Sequence, residues 1–103
     1  MIIFAIHDDA IHQMAEPHVA ASCQTARLSL GRFFAEHEDM RNRMSQTSLV
    51  VFGLWDEDEG VRVFGDGPIK FSAQLCFDCY LEEVKKQNEE AISEAVSDNS
   101  DHV

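Results

Sequence analysis

The most apolar stretch of the chain, residues 49–55, is apolar or small at odd and even positions alike. A strand with this pattern is stable only where both of its faces are covered, so the stretch predicts a central strand. Four consecutive acids and Gly60 follow it, and then the apolar segment 61–64. A glycine suits the left-handed position of a short hairpin loop. The whole segment therefore predicts a β-hairpin with an acidic tip.

Two shorter apolar segments predict further strands. Residues 2–6 are uniformly apolar and are followed by a histidine and two acids, which indicates a buried N-terminal strand. Residues 69–71 alternate apolar and charged side chains after a turn rich in glycine and proline, which predicts a short edge strand. Residues 8–17 are polar and have no regular pattern, so they predict a loop.

Two segments have helical periodicity. From Ser22, a candidate N-cap, apolar residues recur at steps of three and four as far as residue 37. Within this helix, Gly31 suggests close approach to a strand. Residues 39–46 either continue the helix or form a short second one. From Ser72, another candidate N-cap, a second helix extends to about Val96, and we expect the polar residues 97–103 to be disordered.

Together these elements predict one α+β domain in the order β-α-β-β-(β)-α. The sheet is small and antiparallel, has three to four strands, and carries the helices on one face. Residues 1–87 form the domain, because 103 residues suffice for one modest core. Residues 88–103 form the projecting end of a long acidic C-terminal helix and the disordered acidic tail.

The net charge of −11 is concentrated in the second half of the chain. Residues 1–47 hold six acids and four arginines, whereas residues 48–103 hold thirteen acids and four basic residues. Such a field repels a phosphate backbone, so a protein partner is the better expectation. The three cysteines and the absence of a signal-like or membrane-spanning apolar run favour a reducing cytoplasm and no membrane association.

Half of the basic residues lie in the first helical region, namely Arg27, Arg32, Arg41 and Arg43. One interpretation is a patch that binds nucleic acid or an acidic partner. The more common arrangement is a solvated helix face whose arginines balance neighbouring acids such as Glu36. The acidic hairpin tip, in turn, predicts a solvated loop rather than a calcium site, because adjacent carboxylates cannot all turn towards one ion.

No metal, cofactor or catalytic site is predicted. Cys76 and Cys79 have C-x-x-C spacing, but they lie inside a predicted helix, where cysteine behaves as a small hydrophobic residue. His7, His12 and His18 match no established ligand spacing. We find no nucleophile elbow, triad signature or phosphate-binding loop, and therefore expect a protein that is not an enzyme.

The C-terminal helix carries a narrow apolar stripe. Such a stripe gains most by packing against a second copy of itself, so it predicts a homodimer. The residues of this predicted dimerisation stripe are Leu81, Val84, Ala91 and Ala95.

The order of these features resembles the small nonstructural protein of gokushoviruses, which are single-stranded DNA phages of the microvirus family. The motifs that carry the resemblance are the opening strand and Asp8, the Pro17 to Ala20 step, Ala26-Arg27, the run from Ser48 to Gly53 with its acidic turn, and Pro68-Ile69. His18 replaces the aromatic residue usual in the family. The resemblance does not extend beyond Leu75.

The resemblance implies a phage accessory protein that acts in genome replication, or in single-stranded DNA synthesis or packaging, in the host cytoplasm. It implies binding to a phage or host replication protein, with single-stranded DNA as a further ligand, and it brings no catalytic residues. Two alternatives stay open. One is a capsid-associated structural protein. The other is a DNA mimic that inhibits a host DNA-binding or defence protein through its hairpin acids Asp56, Glu57, Asp58 and Glu59.

Overall fold

The computed structural model describes the backbone of residues 1–101 and the side chains of residues 1–90. Its strands are β1 (Ile2–Asp8), β2 (Gln13–Met14), β3 (His18–Ala20), β4 (Thr47–Asp56), β5 (Gly60–Val63) and β6 (Ile69–Ser72). Its helices are α1 (Cys23–Glu36), a 3₁₀ helix (Glu38–Gln46) and α2 (Ala73–Asp101). The predicted α+β class is confirmed.

The sheet is antiparallel throughout and is built around β4. One side of β4 pairs with β1, and its other side pairs with β5 and then β6. The central position predicted for residues 49–55 is therefore confirmed. The outer side of β1 pairs with two short strands, β3 and β2. Strand β2 lies within residues 8–17, which are predicted to be a loop, and β3 directly follows them. Both strands are too short and too polar to produce an apolar alternation.

The main core lies between one face of the sheet and the helices. The buried residues of this core are Ile2, Ala26, Leu30, Phe34, Met44, Leu49, Val51, Ala73 and Cys76. They come from β1, β4, α1, the 3₁₀ helix and α2, so the helices share one face of the sheet as predicted. Leu49 and Val51 are fully buried, which explains why the central strand must be apolar on this side.

Both predicted N-cap serines precede helices and hold them by hydrogen bonds. Ser22 Oγ accepts from the backbone N–H of Thr25 at 3.2 Å, and Ser72 Oγ accepts from the backbone N–H of Leu75 at 3.1 Å. Because β6 ends at Ser72, the edge strand passes directly into α2. Each serine satisfies a backbone donor that the first turn of a helix leaves unpaired.

Gly31 marks a close approach, but to a helix and not to a strand. A β-carbon at this position would lie 2.6 Å from Cβ of Tyr80 and would overlap the carbonyl of Cys76, both in α2. The prediction of an approach to a strand was wrong because helical periodicity does not say which element packs on each face. The two helices cross at Gly31 with almost no space between their backbones.

Helix α2 extends to Asp101, five residues past the end predicted at Val96. The side chains of residues 91–103 lie outside the described residues, and with them most of the segment predicted to project from the domain. No helix in the part of the chain that the structure describes is long and apolar enough to cross a bilayer.

Candidate functional site

Arg27, in α1, packs inside the fold instead of projecting into solvent. Its guanidinium carbon lies 5.0 Å from the centre of the Phe71 ring, in cation–π geometry. Its Nε is buried and has no hydrogen-bond partner among the described residues. This arginine therefore joins α1 to β6 and is half-buried.

Arg41 completes the C-terminal end of α1. Its Nε donates to the carbonyl of Phe34, and its terminal nitrogen donates to the carbonyl of Ala35, both at 3.0 Å. These carbonyls belong to the last turn of the helix. No further turn follows that could supply backbone N–H donors to them. The guanidinium carbon also lies 5.2 Å from the centre of the Phe77 ring. The role that this geometry assigns to Arg41 is structural.

Arg32 and Arg43 are the exposed members of the arginine set. Arg32 Nε donates to Glu36 at 2.8 Å, and this hydrogen bond lowers the pKa of the Glu36 carboxyl below its ordinary value. Arg43 makes no side-chain ion pair within the described residues. Of the four predicted binding arginines, only these two present their charge to solvent, so the predicted patch has at most two free cations.

The acidic hairpin tip projects into solvent, as predicted. The Asp56 carboxylate accepts from the backbone N–H of Asp58 at 2.7 Å and from that of Glu59 at 3.4 Å. These two bonds lower the pKa of Asp56 below its ordinary value. The predicted left-handed glycine is confirmed, since Gly60 has φ +76°. All four acids, Asp56, Glu57, Asp58 and Glu59, are exposed.

Only part of the predicted dimerisation stripe lies among the described side chains. Leu81 is 46% exposed. Val84 is half-buried and lines a groove between α2 and α1 together with Leu28 and Tyr80. Ala91 and Ala95 lie outside the described side chains. Of the two described members of the stripe, Leu81 is therefore the exposed one.

The cysteines are free thiols at two depths. Cys76 is fully buried at the helix crossing, and burial raises its pKa to about 11. Cys23 and Cys79 are half-buried. The described residues contain no group of three or more histidine, cysteine or acidic side chains arranged to hold a metal ion.

A polar cluster at one end of the sheet has no counterpart in the sequence analysis. The Asp9 carboxylate accepts a hydrogen bond from Ser48 Oγ at 2.7 Å and contacts His7 Nδ1 at 2.6 Å. Lys70 Nζ lies 3.1 Å from the same carboxylate. These partners, Ser48 first and then His7, hold the pKa of Asp9 well below its usual range.

This cluster joins the end of β1 to β4 and is not a catalytic triad. In a triad the histidine accepts the proton of the serine hydroxyl, whereas here both Ser48 and His7 bind the Asp9 carboxylate. The serine oxygen thus has no base to activate it. No sequence signal identifies the cluster, because Asp9 and Ser48 are 39 residues apart.

The face of the sheet opposite the helices carries a second feature that the sequence analysis missed. Trp55 lies opposite Met1 on one side, through two backbone hydrogen bonds, and opposite Val61 on the other. Directly opposed residues share a face of the sheet, and so do residues two apart in a strand. Val63 therefore lies on the same face as Val61.

A second row of the same face reaches the far edge of the sheet. Gly53 lies opposite Val63 and Ile3, and Ile3 lies opposite Val19. We name the exposed members of these rows the apolar sheet face. They are Val63 (71% exposed), Val61 (61%), Met1 (56%), Val19 (51%) and Trp55 (37%). The alternation of Val61, Arg62 and Val63 was the available signal, but it does not tell which face the helices leave uncovered.

Comparison with known proteins returned no match to this chain among family models, curated proteins or solved structures.

Proposed function

We propose that this chain is a nonenzymatic accessory protein of a phage, which binds a phage or host replication protein in the host cytoplasm. Its action is in genome replication, or in single-stranded DNA synthesis or packaging. The phage setting depends on the resemblance in the order of motifs from Met1 to Ile69. The observation that carries the binding role is the apolar sheet face beside the acidic hairpin tip.

Contiguous apolar side chains on a surface are typical of protein interaction sites. Trp55 and Met1 belong to residue types that are enriched at the centre of such interfaces. The hairpin acids lie at the rim of this face, because they directly follow Trp55 in the chain. A suitable partner would bury the valines and place basic side chains opposite the acids. It would then complement both the apolar sheet face and the acidic hairpin tip.

Single-stranded DNA is at most a secondary ligand in this proposal. Only Arg32 and Arg43 of the predicted binding arginines are exposed, and the net charge of −11 opposes approach to phosphates. A homodimer through α2 is compatible with the proposal, because Leu81 lies on a helix and not on the apolar sheet face.

The test is a phage genome in which the gene for this chain is interrupted. We expect infected cells to accumulate less single-stranded genome relative to the double-stranded form, and a copy of the gene supplied in trans to restore the ratio. A supplied gene with Val63→Lys should restore less than a gene with Glu16→Gln, which lies away from the apolar sheet face. An unchanged ratio after interruption would overturn the replication role.

The exposed hairpin tip favours a second candidate function, the acidic DNA mimic. Its four acids are exposed, and the Asp56 carboxylate accepts hydrogen bonds from two backbone N–H groups of the loop. Immobilised protein should then retain basic nuclease-type host proteins that elute with salt, and substitution of the four acids by their amides should abolish the retention. Copurification with intact virions would instead indicate the capsid-associated role.

A further inference from the structure

The outer edge of β5 is unpaired within the described residues. Phe64 N–H donates to the carbonyl of Phe52 at 3.0 Å, which makes these two residues a hydrogen-bonded pair of the β4–β5 ladder. Bonded and non-bonded pairs alternate in an antiparallel ladder. Arg62 therefore turns its N–H and C=O towards β4, and those of Val61 and Val63 point outwards. Two donors and two acceptors are thus presented along this edge.

The valine side chains at this edge are exposed, and its outward backbone groups are unpaired within the described residues. Val61 and Val63 are the two most exposed members of the apolar sheet face, and both lie on β5. Natural proteins usually protect an edge strand by charge, by proline or by a covering segment. Here the one charged side chain within the strand, Arg62, lies on the opposite face of the sheet, opposite Leu54. The valine side of the edge lacks that protection.

The charge around the edge is strongly negative. Residues 56–66 contain five acids and a single arginine. Arg62 is partly neutralised, since its Nε lies 3.4 Å from the Glu59 carboxylate. The field at β5 therefore favours a cationic ligand and opposes both phosphates and acidic proteins.

We propose that β5 binds an extended segment of a protein partner as an added strand. The segment has valine- or isoleucine-like side chains at alternate positions and lysine or arginine at the end that meets the hairpin tip. The residues between the apolar positions are uncharged, because a cation there would lie opposite Arg62. Its backbone pairs with Val61 and Val63, its apolar side chains extend the apolar sheet face, and its cations lie near the hairpin acids. This assignment rests on the proposed function, because it names the chemistry of the partner that the accessory protein binds.

The same observations disfavour a second copy of this chain at β5. In a symmetric pairing the two β5 strands would run antiparallel, so each acidic hairpin tip would lie beside residues 64–66 of the other copy, which include Asp66, and the two negatively charged edges would repel each other. They also favour a strand over a helix as the ligand. A helix satisfies its own backbone groups internally and would leave the edge of β5 unpaired.

The probe is a blocked peptide of seven residues, Val-Thr-Val-Thr-Val-Lys-Lys, mixed with the complete protein labelled with nitrogen-15. In an antiparallel added strand its lysines lie beside the hairpin tip. We expect the amide resonances of Val61 and Val63 to shift and their hydrogen exchange to slow. Three control peptides test the contributions of backbone hydrogen bonds, of charge and of alternation separately. One carries N-methyl groups on the residues that face β5, the second has glutamate in place of lysine, and the third has the same composition in an order without alternation.

N-methylation should weaken binding by about tenfold or more, since it removes several backbone hydrogen bonds. The glutamate peptide should not bind, and salt should weaken the lysine peptide. Val63→Lys should reduce binding, whereas Val19→Lys, on the far edge of the same face, should not. Equal binding of the N-methylated peptide, or unchanged Val61 and Val63 amides, would overturn the added strand.

Two further results separate this proposal from its alternatives. If sedimentation shows a dimer that Val63→Lys dissociates, the edge is occupied by a second copy and the proposal fails. If the peptide does not bind but interruption of the gene still lowers the amount of single-stranded genome, the proposal of an added strand fails while the proposed function stands. Binding at β5 without any replication defect would contradict the proposed function alone.

Discussion

The hydroxyl of Ser48 donates a hydrogen bond of 2.7 Å to the carboxylate of Asp9 and so ties the first residues of β4 to the end of β1. Ser48 is only 3% exposed, and the same carboxylate also binds His7 and Lys70. Three partners thus converge on one charged acceptor. This convergence closes the end of the sheet and makes the stability of the fold depend on the charge of Asp9.

Replacement of Asp9 by asparagine should lower the free energy of unfolding by about 1–2 kcal/mol at neutral pH, because hydrogen bonds to a charged acceptor are lost. The folded state lowers the pKa of Asp9 from its ordinary value of 3.8. The carboxylate therefore stabilises the fold fully above that pH and progressively less as pH falls below it. Urea unfolding between pH 7 and pH 2.5 should show the difference between the two proteins shrinking below about pH 4.

The control for this experiment is Glu16→Gln. Glu16 is exposed and makes no side-chain hydrogen bond within the described residues. Its replacement should leave stability unchanged at every pH. A constant difference between Asp9→Asn and the parent protein down to pH 2.5 would show that the charge of Asp9 does not stabilise the fold.

Replacement of Gly31 by alanine should destabilise the protein by about 2 kcal/mol, because an added methyl group overlaps α2 and forces the helices apart. The expected sign is informative, since alanine in place of glycine within a helix normally stabilises it by roughly 1 kcal/mol. Gly65→Ala is the matched control, because a β-carbon at Gly65 meets nothing within 4 Å. Chemical denaturation measures the stability of both variants. A Gly31→Ala protein more stable than the parent would contradict the close crossing of α1 and α2.

Replacement of Arg41 by alanine should cost about 1–2 kcal/mol of stability, because two carbonyls at the end of α1 lose their donors. Arg43→Ala, in the same 3₁₀ helix, should change stability by less than about 0.5 kcal/mol. Equal effects of the two substitutions would mean that the carbonyl contacts of Arg41 do not stabilise the fold. Thermal or urea unfolding distinguishes these outcomes.

The structural roles of Arg27 and Arg41 also decide how DNA binding should be tested. A double variant at these two positions would perturb the fold and the binding together. Arg32→Ala with Arg43→Ala removes the exposed cations and leaves both packing contacts intact. If these arginines contact phosphates, the variant should bind single-stranded DNA more weakly in a gel shift, and its salt dependence should be shallower. Unchanged binding would exclude the arginine patch.

The thiols should differ in reactivity towards iodoacetamide. Cys76 is fully buried and its pKa is raised to about 11, so we expect it to be alkylated at pH 8 only as fast as the protein unfolds. Cys23 and Cys79 are half-buried and should react first. Mass spectrometry of timed samples gives the order, and denatured protein, in which all three should react, is the control. Early labelling of Cys76 would contradict its burial.

The predicted dimer requires that the apolar stripe of α2 packs against a second copy. Leu81→Lys should convert a dimer to a monomer in sedimentation equilibrium, because it places a charge on the exposed part of the stripe. Lys86→Ala, also exposed on the same helix but outside the stripe, should not. A protein that is monomeric before any substitution would show that the stripe does not form a dimer at that concentration.

Much of the fold could be predicted from local patterns. The hairpin and its left-handed Gly60 depend on residues that are neighbours in the chain, and so do the N-caps Ser22 and Ser72. The central place of β4 follows from its double apolar face, which is buried on both sides at residues 49–51. Near the end of the strand Leu54 and Trp55 are each 37% exposed, so the predicted cover does not extend to them. The candidate acidic tip was predicted for the same local reason.

The rest depended on packing between distant segments. Gly31 indicates a close approach, but only the crossing of α1 and α2 identifies the neighbour. Arg27 and Arg41 have the same sequence signal as Arg43, and their different roles follow from where Phe71, Phe77 and the end of α1 lie. Such contacts have no counterpart in the spacing of residues along the chain.

The sequence by itself determined the α+β class, the central strand, the acidic hairpin and the distribution of charge, since each of these depends on local propensity or on composition. Only the tertiary structure decided which face of the sheet the helices cover, and hence that Val61 and Val63 are exposed beside an unpaired edge. It also joined Asp9 to Ser48. The physical reason is that alternation assigns residues to two faces of a strand, whereas long-range packing decides which of those faces meets solvent.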